Sequence, residues 1–370
     1  MSRGPWLGWL LLVTGLLPGA RAQEAPAAPA GEAEGFFHDP EEDPLPPRWG
    51  RGPLEVRDPY LLALNRLSPW ARSPQVLSHL QVEMSLRGLV ANSFAFARNR
   101  YLIDGELREL AAVLRLGLFE RLELGLFLPW QHRTGPTLDG FIEDLHNSYR
   151  LPEIAPDHEA QDRYEVSGLE PGRGRFDFDQ KGSGFGDLIG EARVLLTPGG
   201  PLLPAATVGL RLRFPTGRRR FDLSSGVDVS LGVDLSQRIG GLRSPFVAYA
   251  GGAWTVHAET HLGPIRQARH RGMFYLGGEL ELTSWASLVV HAWIESRRET
   301  RLFRDLPVSG PLDPLARTDL GFGNWITYIA AGFKLEPVEG LIVDIGMLEN
   351  LIDPETTADF TVLFNLTWRL

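Results

Sequence analysis

The stretch Phe360-Thr361-Val362-Leu363-Phe364-Asn365-Leu366-Thr367-Trp368-Arg369-Leu370 decides the fold. Counted back in twos from Leu370, one side reads Leu370, Trp368, Leu366, Phe364, Val362 and Phe360, all large and apolar. The other side reads Arg369, Thr367, Asn365, Leu363 and Thr361. Successive side chains of a strand point to opposite faces, so this is a strand with one apolar and one mostly polar face. Its length is that of a tilted strand crossing a bilayer.

The same period recurs upstream. Alternation predicts strands over 80–86, 110–118, 122–130, 188–196, 206–214, 227–235, 246–256, 274–282, 288–294, 325–335 and 341–347. With 360–370 this makes about twelve. A soluble sandwich also alternates, but its strands are shorter and its polar face is solvated. The connections alternate too. Those near Arg121 and over 197–204, 239–244, 283–286 and 336–340 are short, whereas 133–184, 216–226, 257–271 and 297–324 are long. Outer-membrane barrels show this asymmetry, with tight periplasmic turns and long outer loops. The expected fold is therefore all-β, a transmembrane antiparallel barrel over residues 80–370 with both strand ends periplasmic. The set Phe360, Val362, Phe364, Leu366, Trp368 and Leu370 resembles the C-terminal signal by which such barrels are recognised for assembly. It departs from the usual pattern in ending on Leu rather than Phe or Trp.

The chain has 370 residues, no Cys and a formal charge of -9. Zero Cys excludes disulfides, thiolate metal sites and a cysteine nucleophile. The acidic balance argues against a nucleic-acid partner. Arg3, the apolar run 6–17 and Ala20-Arg21-Ala22 read as a secretory signal peptide over residues 1–22, removal of which would bring the charge to -11. Residues 23–51 read as a disordered arm rich in Pro, Ala and acid. Residues 52–79 read as a periplasmic or plug segment, with Tyr60 to Leu64 either one helical turn or a plug near the barrel mouth.

Charged side chains opposite the apolar ones should face the lumen, because at the bilayer midplane a charge facing lipid costs roughly 2–4 kcal/mol. The expected lining is Glu109, Arg115, Glu123, Glu191, Arg193, Arg211, Arg213, Asp228, Asp234, Glu279, Glu281 and Lys334. Opposed charges there could set ion selectivity, or pair and seal the passage. Asp139, Glu143, Asp144 and His146 fall on an expected short helix in the longest outer loop, with Phe141, Ile142, Leu145 and Tyr149 as its apolar stripe. A solvated or packed helix accounts for them better than acid–base chemistry. His257, Glu259, His261 and His270 have the donor types of a divalent-metal site, but a solvated loop explains them more simply. Asp177, Asp179 and Asp187 beside Gly182, Gly184 and Gly186 offer oxygen ligands without an EF-hand spacing. His291 should face inward near Glu295. Neither G-x-S-x-G nor H-E-x-x-H occurs. No catalytic residue, metal or cofactor is expected.

Several segments resemble a family of Gram-negative outer-membrane proteins known as domain of unknown function 3187. They are Tyr-Leu-Ile-Asp-Gly-Glu at 101–106, Asp-Gly-Phe-Ile-Glu-Asp-Leu-His at 139–146 with Leu151-Pro152, Gly-Ser-Gly-Phe-Gly-Asp at 182–187, Arg-Phe-Pro-Thr-Gly at 213–217 and Glu349-Asn350-Leu351. The resemblance implies a membrane barrel and carries no established activity. The expected partners are outer-membrane lipid and the barrel assembly machinery. The expected role is a channel or transporter for small solutes, the alternative being a barrel enzyme or a structural surface protein with a lumen closed by charged side chains.

Overall fold

A sheet with one apolar and one polar face can bury its polar face only by closing on itself. The computed structural model describes residues 50–97, 101–135, 164–170, 174–217, 226–296, 325–350 and 360–370 except Asn65 and Leu242, together with Thr137, Phe221 and Ala358. Within them the strands run β1 (Val82–Ala97), β2 (Tyr101–Leu118), β3 (Leu122–Thr134), β4 (Glu165–Glu170), β5 (Gly174–Asp177), β6 (Gly182–Phe185), β7 (Leu188–Thr197), β8 (Ala205–Phe214), β9 (Asp228–Arg238), β10 (Phe246–Val256), β11 (His261–Leu262), β12 (Ile265–Arg266), β13 (His270–Glu281), β14 (Ala286–Ser296), β15 (Trp325–Val338), β16 (Leu341–Asn350) and β17 (Phe360–Arg369). Every pairing is antiparallel. β1 closes on β17 from Glu83↔Arg369 to Asn92↔Phe360. Leu370 N–H donates to the Val82 carbonyl at 2.8 Å, and Val82 N–H returns the bond at 3.2 Å. β6 and β7 together form one wall strand against β3. The result is a closed barrel of twelve strands, as the alternation predicts.

The outward face is apolar: Met84, Leu114, Leu126, Leu231, Leu276, Ile345, Phe364 and Leu366 are exposed. Exposed aromatics gather at its ends, with Phe119, Trp285 and Trp368 near the short turns and Trp130 and Trp254 towards the long connections. This is the surface of a membrane barrel. Among the described residues no helix is long and apolar enough to cross a membrane.

Three expectations need adjustment. β2 begins at Tyr101, nine residues before the alternation starts at Leu110. Ile103, Asp104, Gly105, Glu106 and Leu107 are buried in succession, so this half of the strand is covered on both faces and shows no period. The 133–184 connection also carries strands: β4 pairs with the start of β2 from Tyr101↔Gly168 to Asp104↔Glu165, and β5 pairs with β4. The wall strand opposite β3 is split into β6 and β7 where Pro129, which has no N–H, interrupts the ladder; the Pro129 carbonyl still accepts from Gly186 N–H at 2.8 Å. The loop-helix residues Asp139, Glu143, Asp144 and His146 lie outside the described residues, as do residues 1–49 with the signal peptide and nearly all of the arm.

Candidate functional site

The described residues of 50–77 occupy the lumen, and Ser78 and His79 lie exposed at its short-turn end. The segment enters at the end where the short turns lie, climbs to an apex and returns to the same end before β1 starts. Arg51, allotted to the arm by its composition, already sits inside. Its backbone N–H donates to both Glu279 carboxylate oxygens at 2.8 and 3.0 Å, and its side chain reaches Ser287 Oγ at 2.8 Å and Glu336 Oε2 at 3.3 Å. Gly50 precedes it at φ +78°, a left-handed conformation open to glycine, packed against Tyr249 and Glu279 where a Cβ would collide. The apex is a single 3-10 turn, Leu61–Ala63, whose three residues are all buried. Gln267 Nε2 donates to the Leu62 carbonyl at 3.0 Å, and Leu67 N–H donates to Asp228 Oδ2 at 2.9 Å. On the way back, Arg193 donates to the carbonyls of Ser73 and Gln75, and Leu77 N–H donates to Glu123 Oε2 at 3.2 Å. Within Tyr60–Leu64 the backbone makes this one 3-10 turn, and its side chains are buried.

The plug is charged where the wall is charged. Arg57 chelates Glu109, with Nε 3.1 Å from Oε1 and Nη2 on Oε2. Arg72 Nη1 bridges Glu123 and Glu191 at 2.7 Å each. Glu55 accepts from Arg87 at 2.5 Å and Arg115 at 2.6 Å, and Asp58 lies 3.5 Å from Arg271 and accepts from Tyr328 Oη at 3.0 Å. All these side chains are largely buried. Elsewhere the plug is apolar against an apolar arc: Leu54, Val56 and Ala71 pack with Tyr249, Met273, Tyr275, Val289, Trp293 and Tyr328 on β10 and β13–β15. Trp70 stands 5.6 Å from the Phe127 ring, with the Arg211 guanidinium 4.5 Å from the Trp70 ring.

Of the expected lining, Glu109, Arg115, Glu123, Glu191, Arg193, Arg211, Arg213, Asp228, Asp234, Glu279 and Lys334 are buried inside and Glu281 is half-buried. They are paired rather than free. Arg211 Nε meets Glu191 at 2.7 Å, Arg213 Nε meets Asp228 at 2.9 Å and Nη1 meets Asp187, Arg193 meets Asp234 at 3.3 Å, Lys334 meets Asp344 at 2.8 Å and Arg238 meets Glu281 at 2.7 Å. In the terminal strand Val362, Phe364, Leu366, Trp368 and Leu370 face outward, while Phe360 at its far end is buried.

The metal candidates do not converge. His257 is buried with Nδ1 3.1 Å from Asp228, whereas His261 and His270 are exposed and His270 stacks on Trp254 at 5.7 Å. Asp177 and Asp179 are exposed while Asp187 points inward to Arg213. Among the described residues no group of three or more His, Asp or Glu is arranged to hold a metal. His291 and Glu295 both face inward, and Glu295 pairs with Arg271. Sequence reasoning missed Arg51, Glu55, Arg57, Asp58 and Arg72 as site residues, since their segment has no period. It also left out Glu83 and Arg87, which the alternation of the first strand already puts on the interior face.

A family described as protein of unknown function (DUF3187) matches residues 45–298. No curated protein matches the chain in sequence. Among solved structures, an outer membrane channel described as COG4313 from Pseudomonas putida F1 superposes with a TM-score of 0.51 at 12% identity, covering 82% of this chain and 100% of that one. The NanC porin gives 0.41 at 8% identity, covering 77% and 97%. The TodX monoaromatic hydrocarbon channel gives 0.39 at 9% identity, covering 86% and 96%. The first of these likenesses reaches the level of a shared fold.

Proposed function

We propose, from the premise that the chain belongs to the DUF3187 family, that it is an outer-membrane channel or transporter for small solutes held shut by its own N-terminal plug. The family description carries no activity, so the reading rests on geometry. The observation that carries it is the plug's route. Residues 50–79 enter and leave the barrel at one end, from Glu279 beside Gly50 to the Leu80 N–H bond with the Gly117 carbonyl at 2.9 Å. A segment with both ends at one mouth can withdraw without threading. What it would leave behind is a lumen walled by charged side chains over one arc and by apolar and aromatic ones over the other. The fold shared with an outer membrane channel supports the same reading. In this reading the short turns face the periplasm, the apolar belt meets outer-membrane lipid, and export and assembly proceed through the signal peptide and the β17 signal.

The density of interlocked ion pairs favours a second reading, a structural barrel that never opens. One recording separates the two. Full-length protein and the Arg57→Ala/Arg72→Ala variant are reconstituted in planar bilayers. The native protein should be mostly silent, and the variant should conduct in discrete steps because two of the plug's anchors to Glu109, Glu123 and Glu191 are gone. Stable insertion of both proteins without conductance would reject the channel.

A further inference from the structure

Three guanidinium groups of the plug sit on carboxylates of the wall: Arg51 on Glu279, Arg57 on Glu109 and Arg72 between Glu123 and Glu191. Among the described residues, Glu109 has Arg57 as its cation and Gln131 Nε2 at 2.9 Å as its remaining partner. Glu279 likewise has Arg51 as its cation, beside Tyr249 and the Gly52 N–H. Withdrawal of the plug therefore removes the cation in direct contact with two interior carboxylates, leaving the wall's own Arg133 as the nearby cation of Glu109 and Arg238 as that of Glu279. It also removes Glu55 from the wall guanidinium of Arg87, which keeps Glu83 as its nearby carboxylate. The plug itself carries Arg51, Arg57, Arg66 and Arg72 against Glu55 and Asp58, a net +2 that the lumen accepts.

The Glu109 station is more than a charge. The Arg57 guanidinium lies 5.6 Å from the centre of the Phe127 ring, so carboxylate and aromatic face together hold a planar cation. A gap that the plug does not fill lies beside it, its lining including Arg57, Trp70, Glu109 and Phe127 and, on its other side, the Arg87–Glu55 pair. Across the lumen, Tyr249, Trp293 and Tyr328 belong to the apolar arc that receives Leu54 and Val56. The plug thus presents Arg57 and Arg72 to the arc of β2, β3 and β7 and Leu54 and Val56 to the apolar arc, with Arg51 on Glu279 of β13 at the short-turn end.

We propose that the plug occupies the path of the permeant, and that the permeant is a small organic cation with a planar guanidinium- or amidinium-like head and an apolar body. This rests on the channel reading above. Glu109 and Phe127 hold the head at mid-barrel, Glu279 and Glu123 draw cations at the short-turn mouth, and the aromatic arc takes the body.

The test uses the full-length Arg57→Ala/Arg72→Ala protein in planar bilayers, with reversal potentials recorded under gradients of potassium chloride and of benzamidinium chloride. Cations should pass in preference to chloride, and benzamidinium should pass at least as well as potassium despite its size. Glu109→Gln in the same background should lower the benzamidinium-to-potassium permeability ratio by about fivefold, the loss of one favourable cation site. Glu109→Asp should keep most of it, and heat-modifiable gel mobility shows that each variant is a folded barrel. A preference for chloride, exclusion of benzamidinium, or a ratio unmoved by Glu109→Gln would overturn the solute class while leaving the channel standing. Silence of every variant would remove the channel reading and this inference with it.

Discussion

Arg213 shows how much one interior residue holds. Its Nε donates to Asp228 at 2.9 Å, its Nη1 to Asp187 and its Nη2 to the Gly226 carbonyl at 3.0 Å. Asp228 in turn accepts from Leu67 N–H of the plug at 2.9 Å and from Ala258 N–H at 3.0 Å. Read from sequence, Arg211 and Arg213 either set ion preference or pair with lumen carboxylates and seal the passage. In the structure they are structural cations, and their first effect should be on stability. Arg213→Gln leaves two buried carboxylates short of a countercharge, which costs about 3–5 kcal/mol. Arg369→Gln is the contrast: its side chain is 35% exposed, and its partner Glu83 retains Arg115. That loss should stay below about 1 kcal/mol. Denaturant midpoints in one detergent, read by the shift in gel mobility between folded and unfolded barrel, should separate the two variants clearly; equal midpoints would mean the interior pairs are solvated and weak.

β2 is the element that the plug uses most closely. Gly117 exchanges backbone bonds with the plug's exit, donating to the Gln81 carbonyl and accepting from Leu80 N–H, both at 2.9 Å. A Cβ there would run into the carbonyls of Leu77 and Ser78. Gly117→Val should therefore keep the barrel and push the returning limb off the wall, so that trypsin cuts after Arg72 faster than in the native protein. Unchanged cleavage would show that the limb has room to spare. The same strand explains what the sequence could and could not disclose. Its half from Leu110 to Leu118 separates lipid-facing Leu110 and Leu114 from inward Val113 and Arg115, and contrast between two environments is what a period of two records. Its half before Leu110 is covered by Leu61 and Tyr164 on the face of Gly105 and carries buried Glu106, bonded to Thr137, on the other, so both faces are buried and the period vanishes. The plug is the extreme case. Wall surrounds it on all sides, and Arg51 meets Glu279 across 228 residues of sequence. Interior charges on strands were legible because apolar neighbours flank them; their partners were not, because pairing depends on closure.

At the scale of the molecule, closure gives the two ends of the barrel different roles. The short-turn end receives both ends of the plug, while the strands that lead into the long connections end at the other. Affinity tags within 157–184 or 305–317 should be reachable on intact cells and a tag within 197–204 should not; the reverse labelling would turn the barrel over and put the plug's entrance outside. The remaining question is whether the plug is the barrier to flow, and here the absence of Cys is useful, since one engineered pair would be the chain's only thiols. Leu54 on the rising limb comes within 2.9 Å of where a Cβ on Gly346 of β16 would stand. That contact is with Leu54 Cδ1, so Leu54→Cys/Gly346→Cys sets a thiol of the rising limb facing one of the wall, and closing the disulfide, which spans Cβ atoms about 3.5–4.5 Å apart, requires β16 to give way at the Ala331 carbonyl, 2.9 Å from the new Cβ. Placed in the Arg57→Ala/Arg72→Ala background, the oxidised pair should hold the rising limb against the wall and abolish the stepwise conductance. A reductant should restore it, while Leu54→Cys alone should conduct in either state. Thiol labelling reports how much disulfide has formed, so the comparison is made on the locked fraction. If locked and unlocked barrels conduct alike, solutes pass beside the plug, and the ion pairs of Arg57 and Arg72 are fixtures of a static interior rather than the latch of a gate.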